Sequence, residues 1–171
     1  MIVLGIDQAA TSGWCIVERD VGGILGRHRA LDHGTCRRAV ERREIIARAV
    51  AVAQGPDRLV AVYEQHGVGR SERWTPATMI GVGDSRGRWL EALELADVPR
   101  RHCIGVPPGE WRRAMIGPRR LDRAQWKAQA VLSCRGRGVT VTDDDEAEAV
   151  LIALWAASCS GEVARMARRV A

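Results

Sequence analysis

Residues 3–18 read VLGIDQAATSGWCIVE. An apolar run, Val3 to Ile6, ends in Asp7. A small polar stretch containing Thr11-Ser12-Gly13 follows, and Trp14 to Glu18 resumes the apolar character. Short apolar runs bounded by turn residues predict strands, so the stretch reads as strand, turn, strand. Gly22-Gly23 offers another reversal, and a weaker third strand is predicted within 23–33, completing an antiparallel meander.

Working outward, residues 36–54 carry Val40, Ile45, Ala47, Val50 and Ala51 among arginines and glutamates. This is the pattern of an amphipathic helix, stopped by Gly55-Pro56. Residues 58–64 predict a strand that ends in Glu64, and residues 65–76 a polar loop. A helix over 78–96 is predicted in spite of Gly81, Gly83 and Gly87. A short strand over 102–106 is closed by Pro107-Pro108, and helical segments follow over 109–115, 121–133 and 143–157. Three strands, helix, strand, helix, strand, then helices predicts an α/β fold: a mixed five-stranded sheet flanked by helices. The length, 171 residues, fits one domain spanning 1–171.

Composition narrows the function classes. No apolar run approaches the roughly 18–20 residues of a membrane span, so no membrane partner is expected. The first residues meet Asp7 at once and lack a basic leader, so they read as a strand rather than a signal peptide. The five cysteines are scattered without CxxC spacing, which fits reduced thiols in a cytoplasm better than zinc or disulfides. The net charge is +5, and every one of the 26 basic residues except Lys127 is arginine. Arginine grips phosphate in a bidentate fork, which favours a nucleic-acid partner.

The carboxylates are the next signal. Asp7 ends the first predicted strand and Glu64 the fourth; if these strands are parallel neighbours, the two acids meet at the strand C-terminal ends, where sites form in open sheets. Residues 141–156, VTDDDEAEAVLIALWA, then gather five acids in six positions, Asp143 to Glu148, at the mouth of an apolar helix. Asp143 suits the N-cap, with Glu146 completing a capping-box-like pair. Asp145 and Glu148 share one helix face, and Glu148 enters an apolar layer, where an unpaired carboxylate is costly. A cage of Asp7, Glu64, Asp145 and Glu148 around divalent ions would remove both repulsion and desolvation. Hard oxygen donors favour Mg²⁺ or Mn²⁺ over zinc. Two such ions suit an in-line phosphoryl displacement, and a basic protein with this site suggests a nuclease.

Asp7 in GIDQAATSGW, Glu64 in VAVYEQ, Arg86-Gly87 in GVGDSRG, VPPGEWRRAMIG at 106–117 and DEAEAVLIA at 145–153 together resemble the RuvC-type Holliday-junction resolvases, across nearly the whole chain. The resemblance implies an RNase H-like fold and a homodimer that nicks two strands of a four-way DNA junction. It implies Asp7, Glu64, Asp145 and Glu148 as metal-binding catalytic acids. An aspartate is usual where Glu148 stands, and a register shift would put Asp143 or Asp144 in place of Asp145. The aromatic wedge of the bacterial enzymes, three residues after the second acid, is Gly67 here. Trp74, flanked by Arg70 and Arg73, is the best local substitute. Arg112 and Arg123 match the family's basic DNA-contacting residues. Apart from the resemblance, His66 lies close after Glu64, where proton transfer is one role and an ordinary loop histidine the commoner one.

Three other readings share some of these features. A YqgF-like nuclease acting on RNA has the same early GID strand. A sugar-kinase or actin-type phosphotransferase opens similarly but needs two such domains. A non-catalytic junction-binding protein would not need all four acids.

Overall fold

The computed structural model describes residues 1–9, 11–19, 28–65, 76–118 and 120–159. Five strands form one sheet: β1 (Ile2–Asp7), β2 (Ser12–Arg19), β3 (His28–Cys36), β4 (Leu59–Glu64) and β5 (Cys103–Val106), in the order β3-β2-β1-β4-β5. The first three form the expected meander, since β1 pairs antiparallel with β2, and β2 with β3. The β1–β4 and β4–β5 pairs are parallel, so the sheet is mixed. The third strand lies later than its weak pattern suggests. Ser12 and Gly13 belong to β2 rather than to a turn, because Gly13 pairs with Asp7 across the ladder.

Five helices cover the two faces. On one side lie α1 (Ala39–Ala53) and α2 (Pro76–Glu94), which bury Ile45, Ile46, Ala49, Trp89 and Leu93 against Ile2, Leu4, Ile6 and Leu59. Alternation along β1 sends Val3 and Asp7 to the other face. There α5 (Asp144–Ser158) lies along the sheet, with α3 (Pro108–Met115) and α4 (Arg123–Gly136) against it. Every residue of α5 from Glu146 to Ala157 is buried, which explains a helix apolar all round.

Local chemistry sets the ends. Gln54 takes the left-handed conformation (φ 59°) that closes α1, ahead of Gly55 and Pro56. Pro107-Pro108 starts α3, where a missing N–H costs nothing. At α4, Asp122 and Gln125 cap each other reciprocally. Two glycines let α5 approach the sheet: a Cβ on Gly5 would come within 2.5 Å of the Ala149 carbonyl, and one on Gly13 would collide with the backbone of Asp145. The expected mixed five-stranded α/β architecture is the one found. No helix among the described residues is long and apolar enough to cross a membrane.

Candidate active site

Parallel pairing of β1 with β4 sets Ile6 opposite Tyr63. The next residue on each strand is the acid, so Asp7 and Glu64 leave the sheet side by side on the α5 face. α5 then brings Glu148, one turn in from its N-terminus, over the same edge. All three are buried polar groups, Asp7 8%, Glu64 2% and Glu148 9% exposed. Asp145 is more open, with a quarter of its side chain exposed.

The electrostatics show how closely these acids sit. Burial raises the Asp7 carboxyl well above the usual carboxylate range, and the charges of Glu148, Glu64 and Asp145 push it further, against a smaller opposing pull from Arg112. Burial likewise raises Glu64, which Arg112 and a hydrogen bond from Trp111 partly offset. Glu148 is raised by burial and by Glu64, with Arg112 and Lys127 opposing. Asp145 is raised by burial and by Asp143 and Glu148, with Lys127 opposing. Among the three aspartates at the start of α5, it is Asp145 whose charge bears on Asp7.

Among the described residues, two cations and one indole answer these charges. The Arg112 guanidinium donates through Nη2 to Glu64 Oε2 and to Glu148 Oε2, each at 3.2 Å. It stacks over the rings of Trp111, 5.0 Å to the centroid, and Trp126, 5.9 Å. Trp111 Nε1 donates to Glu64 Oε2 at 3.0 Å. Lys127 pairs with Asp144 and lies 3.7 Å from Asp145 Oδ1. Burying a carboxylate without such partners costs several kcal/mol, and these cations offset part of that cost.

The remaining acids have structural employment. Asp143 caps α5, accepting from Glu146 N at 2.8 Å. Glu146 does not close the other half of the capping box. Its carboxylate turns instead to His33 Nδ1 on β3 at 2.7 Å and to Thr142, whose backbone N–H and hydroxyl both donate to it. Burial works to raise its pKa, but these hydrogen bonds outweigh it and hold the carboxyl below its ordinary value.

The four expected acids are thus brought together, and Arg112 is among them rather than on an open surface. Arg123 stands exposed in the first turn of α4. His66, Gly67, Arg70, Arg73 and Trp74 lie outside the described residues. The sequence reading missed Trp111 and Lys127 as members of the cluster. Lys127 did carry a signal, being the one lysine of an otherwise all-arginine set. Cys15, Cys36, Cys103 and Cys134 are buried and free, and burial raises their thiols, Cys36 and Cys103 to about 11 and Cys134 to about 12.

Among the described residues, no three His, Cys, Asp or Glu side chains already converge as a metal-ligand set. The donor chemistry nevertheless fits a hard divalent ion: four carboxylates, mutually repelling and largely desolvated, with an arginine between two of them. Mg²⁺ and Mn²⁺ match such donors.

No protein-family model and no curated protein matches the sequence. Solved structures do match the fold. RuvC of Thermus thermophilus shares 23% identity at a TM-score of 0.62, over 95% of this chain and 96% of that one. T. thermophilus RuvC in complex with a Holliday junction substrate shares 20% identity at a TM-score of 0.68, over 96% and 97%. The chain therefore has a RuvC-like, RNase H-like α/β fold.

Proposed function

We propose that this protein is a metal-dependent endonuclease that resolves four-way DNA junctions by paired phosphodiester hydrolysis. The observation that carries the reading is the acid cluster, in which Asp7, Glu64 and Glu148 are buried at one sheet edge beside Asp145 in a chain of net charge +5. Buried like charges are expensive, and a fold that retains them has a use for them. The whole-length likeness to a RuvC structure holding a Holliday junction supports the substrate class.

In this reading Asp7, Glu64, Asp145 and Glu148 hold Mg²⁺ or Mn²⁺, two ions per site. Such ions supply Lewis acidity that activates water and steadies the attacking and leaving oxygens of an in-line displacement. The chain's own residues do the rest. Trp111 fixes the Glu64 carboxylate by its indole N–H. Lys127 and Arg112 offset negative charge as the phosphodiester approaches. Arg123, with Arg70 and Arg73, contacts DNA phosphates, and Trp74 stacks on a base at the opened branch point. Water's oxygen forms the new bond to phosphorus as one P–O bond of the backbone breaks; the water gives up a proton and the departing oxygen takes one up, leaving a phosphate end and a hydroxyl end.

A junction has two-fold symmetry, so paired cuts call for a homodimer. The outer face of α2 suits the interface. Met79 and Ile80 are exposed there, and a Cβ on Gly81, Gly83 or Gly87 would meet nothing within 4 Å, so these glycines serve no packing within the described chain.

The deciding experiment incubates the protein with a labelled four-way junction, flap, duplex and RNA–DNA hybrid, with and without Mg²⁺ or Mn²⁺. Metal-dependent, paired junction cuts are the expected result. Preferential cutting of the hybrid would reassign the protein to RNA processing, and tight junction binding without cleavage would make it a non-catalytic binder.

A further inference from the structure

We propose that Arg112 is a stand-in cation that holds Glu64 and Glu148 in the metal-free chain. A divalent ion displaces it onto a DNA phosphate, so that metal and DNA bind with positive coupling. This rests on the reading of the acids as a metal site and adds an ordering role for one residue beside them.

The geometry is specific. One nitrogen, Arg112 Nη2, contacts both carboxylate oxygens of Glu64, Oε2 at 3.2 Å and Oε1 at 3.4 Å, and Glu148 Oε2 at 3.2 Å. A divalent ion held by Glu64 and Glu148 would use the same oxygens that this nitrogen contacts. Arginine and a divalent ion are therefore competitors: both need the same oxygens, and their charges repel. The arginine is also poorly seated for a permanent structural role. Its Nε is buried with no hydrogen-bond partner among the described residues, whereas arginine's usual strength comes from parallel donors to one acceptor group.

Its surroundings let it leave. The guanidinium lies against the rings of Trp111 and Trp126, apolar faces that bind a cation without fixing its direction. About a quarter of the side chain is exposed, so its head reaches solvent by rotation about its own bonds. A phosphate can accept two parallel N–H donors, whereas on the carboxylates the guanidinium uses Nη2 alone. Drawing the arginine to phosphate vacates the carboxylates, which favours the metal; filling them with metal frees the arginine, which favours DNA. Linkage makes the two effects equal in size.

The test titrates Mn²⁺ calorimetrically into the full chain and into Arg112→Ala, each with and without a plain DNA duplex as a source of phosphate. Without DNA, Arg112→Ala is expected to bind Mn²⁺ about tenfold more tightly than the parent. Duplex should tighten Mn²⁺ binding to the parent about fivefold or more and leave Arg112→Ala unchanged, within the usual range of site coupling. Mg²⁺ should shift the parent's tryptophan emission as the guanidinium leaves Trp111 and Trp126, and leave that of Arg112→Ala unshifted. If Arg112→Ala does not fold, Arg112→Lys, which lacks the fork, takes its place, with tighter Mn²⁺ binding and weaker coupling expected. Equal or weaker Mn²⁺ binding by the folded variant, or no emission change in the parent, overturns the stand-in role alone. Mn²⁺ binding to neither protein overturns the metal site with it.

Discussion

Gly13 on β2 lies directly beneath the backbone of Asp145 on α5, too close for any Cβ between them. Gly13 is also the ladder partner of Asp7. One glycine thus sets the distance between the helix that carries two acids and the strand that carries a third.

Gly13→Ala should lift the N-terminal turn of α5 from the sheet. Overpacking of this kind costs about 1–3 kcal/mol, and the displaced acids should lose cleavage beyond what the lost stability explains. Gly136→Ala is the control. It sits in α4 with open space around it, and replacing a helical glycine should be neutral or stabilise by about 0.5–1 kcal/mol. Thermal melts and junction cleavage on both variants check this. Parent-level behaviour of Gly13→Ala would mean that the helix has room to spare.

Asp7→Asn should abolish cleavage while junction binding persists. In metal-free buffer it should also stabilise the fold. Asp7, Glu64, Asp145 and Glu148 all have raised folded-state pKa values. Their contribution to stability is present below the ordinary values, 3.8 for aspartate and 4.5 for glutamate, and is lost as pH rises through the folded values. Removing one charge at neutral pH should recover about 1 kcal/mol, a Tm rise of about 2–4 °C. The gain should shrink as pH falls, because the raised Asp7 carboxyl takes up its proton sooner than an ordinary aspartate, and on adding Mg²⁺ to the parent. Melting curves in chelator across pH measure it; a variant that melts below the parent at neutral pH would contradict the repulsion.

Glu146 and Asp145 are neighbours in sequence with opposite expected phenotypes. Glu146→Gln and His33→Ala each break the link between α5 and β3 and should cost about 1–2 kcal/mol, with cleavage kept in the folded fraction. Asp145→Asn should melt near the parent and lose cleavage. Reversal of this pattern, read from melts and single-turnover rates, would move the site register along the helix.

Ile80→Arg tests the α2 face. Ile80 is 71% exposed in the single chain, so the substitution should leave the monomer's stability within about 0.5 kcal/mol. Light scattering should show a dimer for the parent and a monomer for the variant, with paired cuts replaced by single nicks. A parent that is monomeric yet cuts both strands would remove the dimer from the proposal.

Much of this architecture was legible in the chain. Local rules suffice for it: apolar runs ending in Asp7 and Glu64, Gly55-Pro56 after α1, Pro107-Pro108 before α3, and Asp143 as a cap. Strand β3 was placed too early because His28–Cys36 is half-exposed and mixed in character, so alternation was faint. The pairing of Asp7 with Glu64 followed from a single assumption, that their strands are parallel neighbours, which the sheet bears out.

The partners of the acids were decided only by tertiary structure. Arg112 matched a DNA-contacting arginine and gave no sign of its carboxylate partners, and Glu146 looked like half of a capping box. Both roles depend on contacts across 36 or more residues, Arg112 with Glu148 and Glu146 with His33. Secondary structure follows from periodicity and turn chemistry within a few residues, which the sequence carries on its face. Which cation meets which carboxylate depends on how α3, α4 and α5 pack over the sheet, a cooperative choice made by burial and close approach at Gly5 and Gly13 that no local pattern encodes.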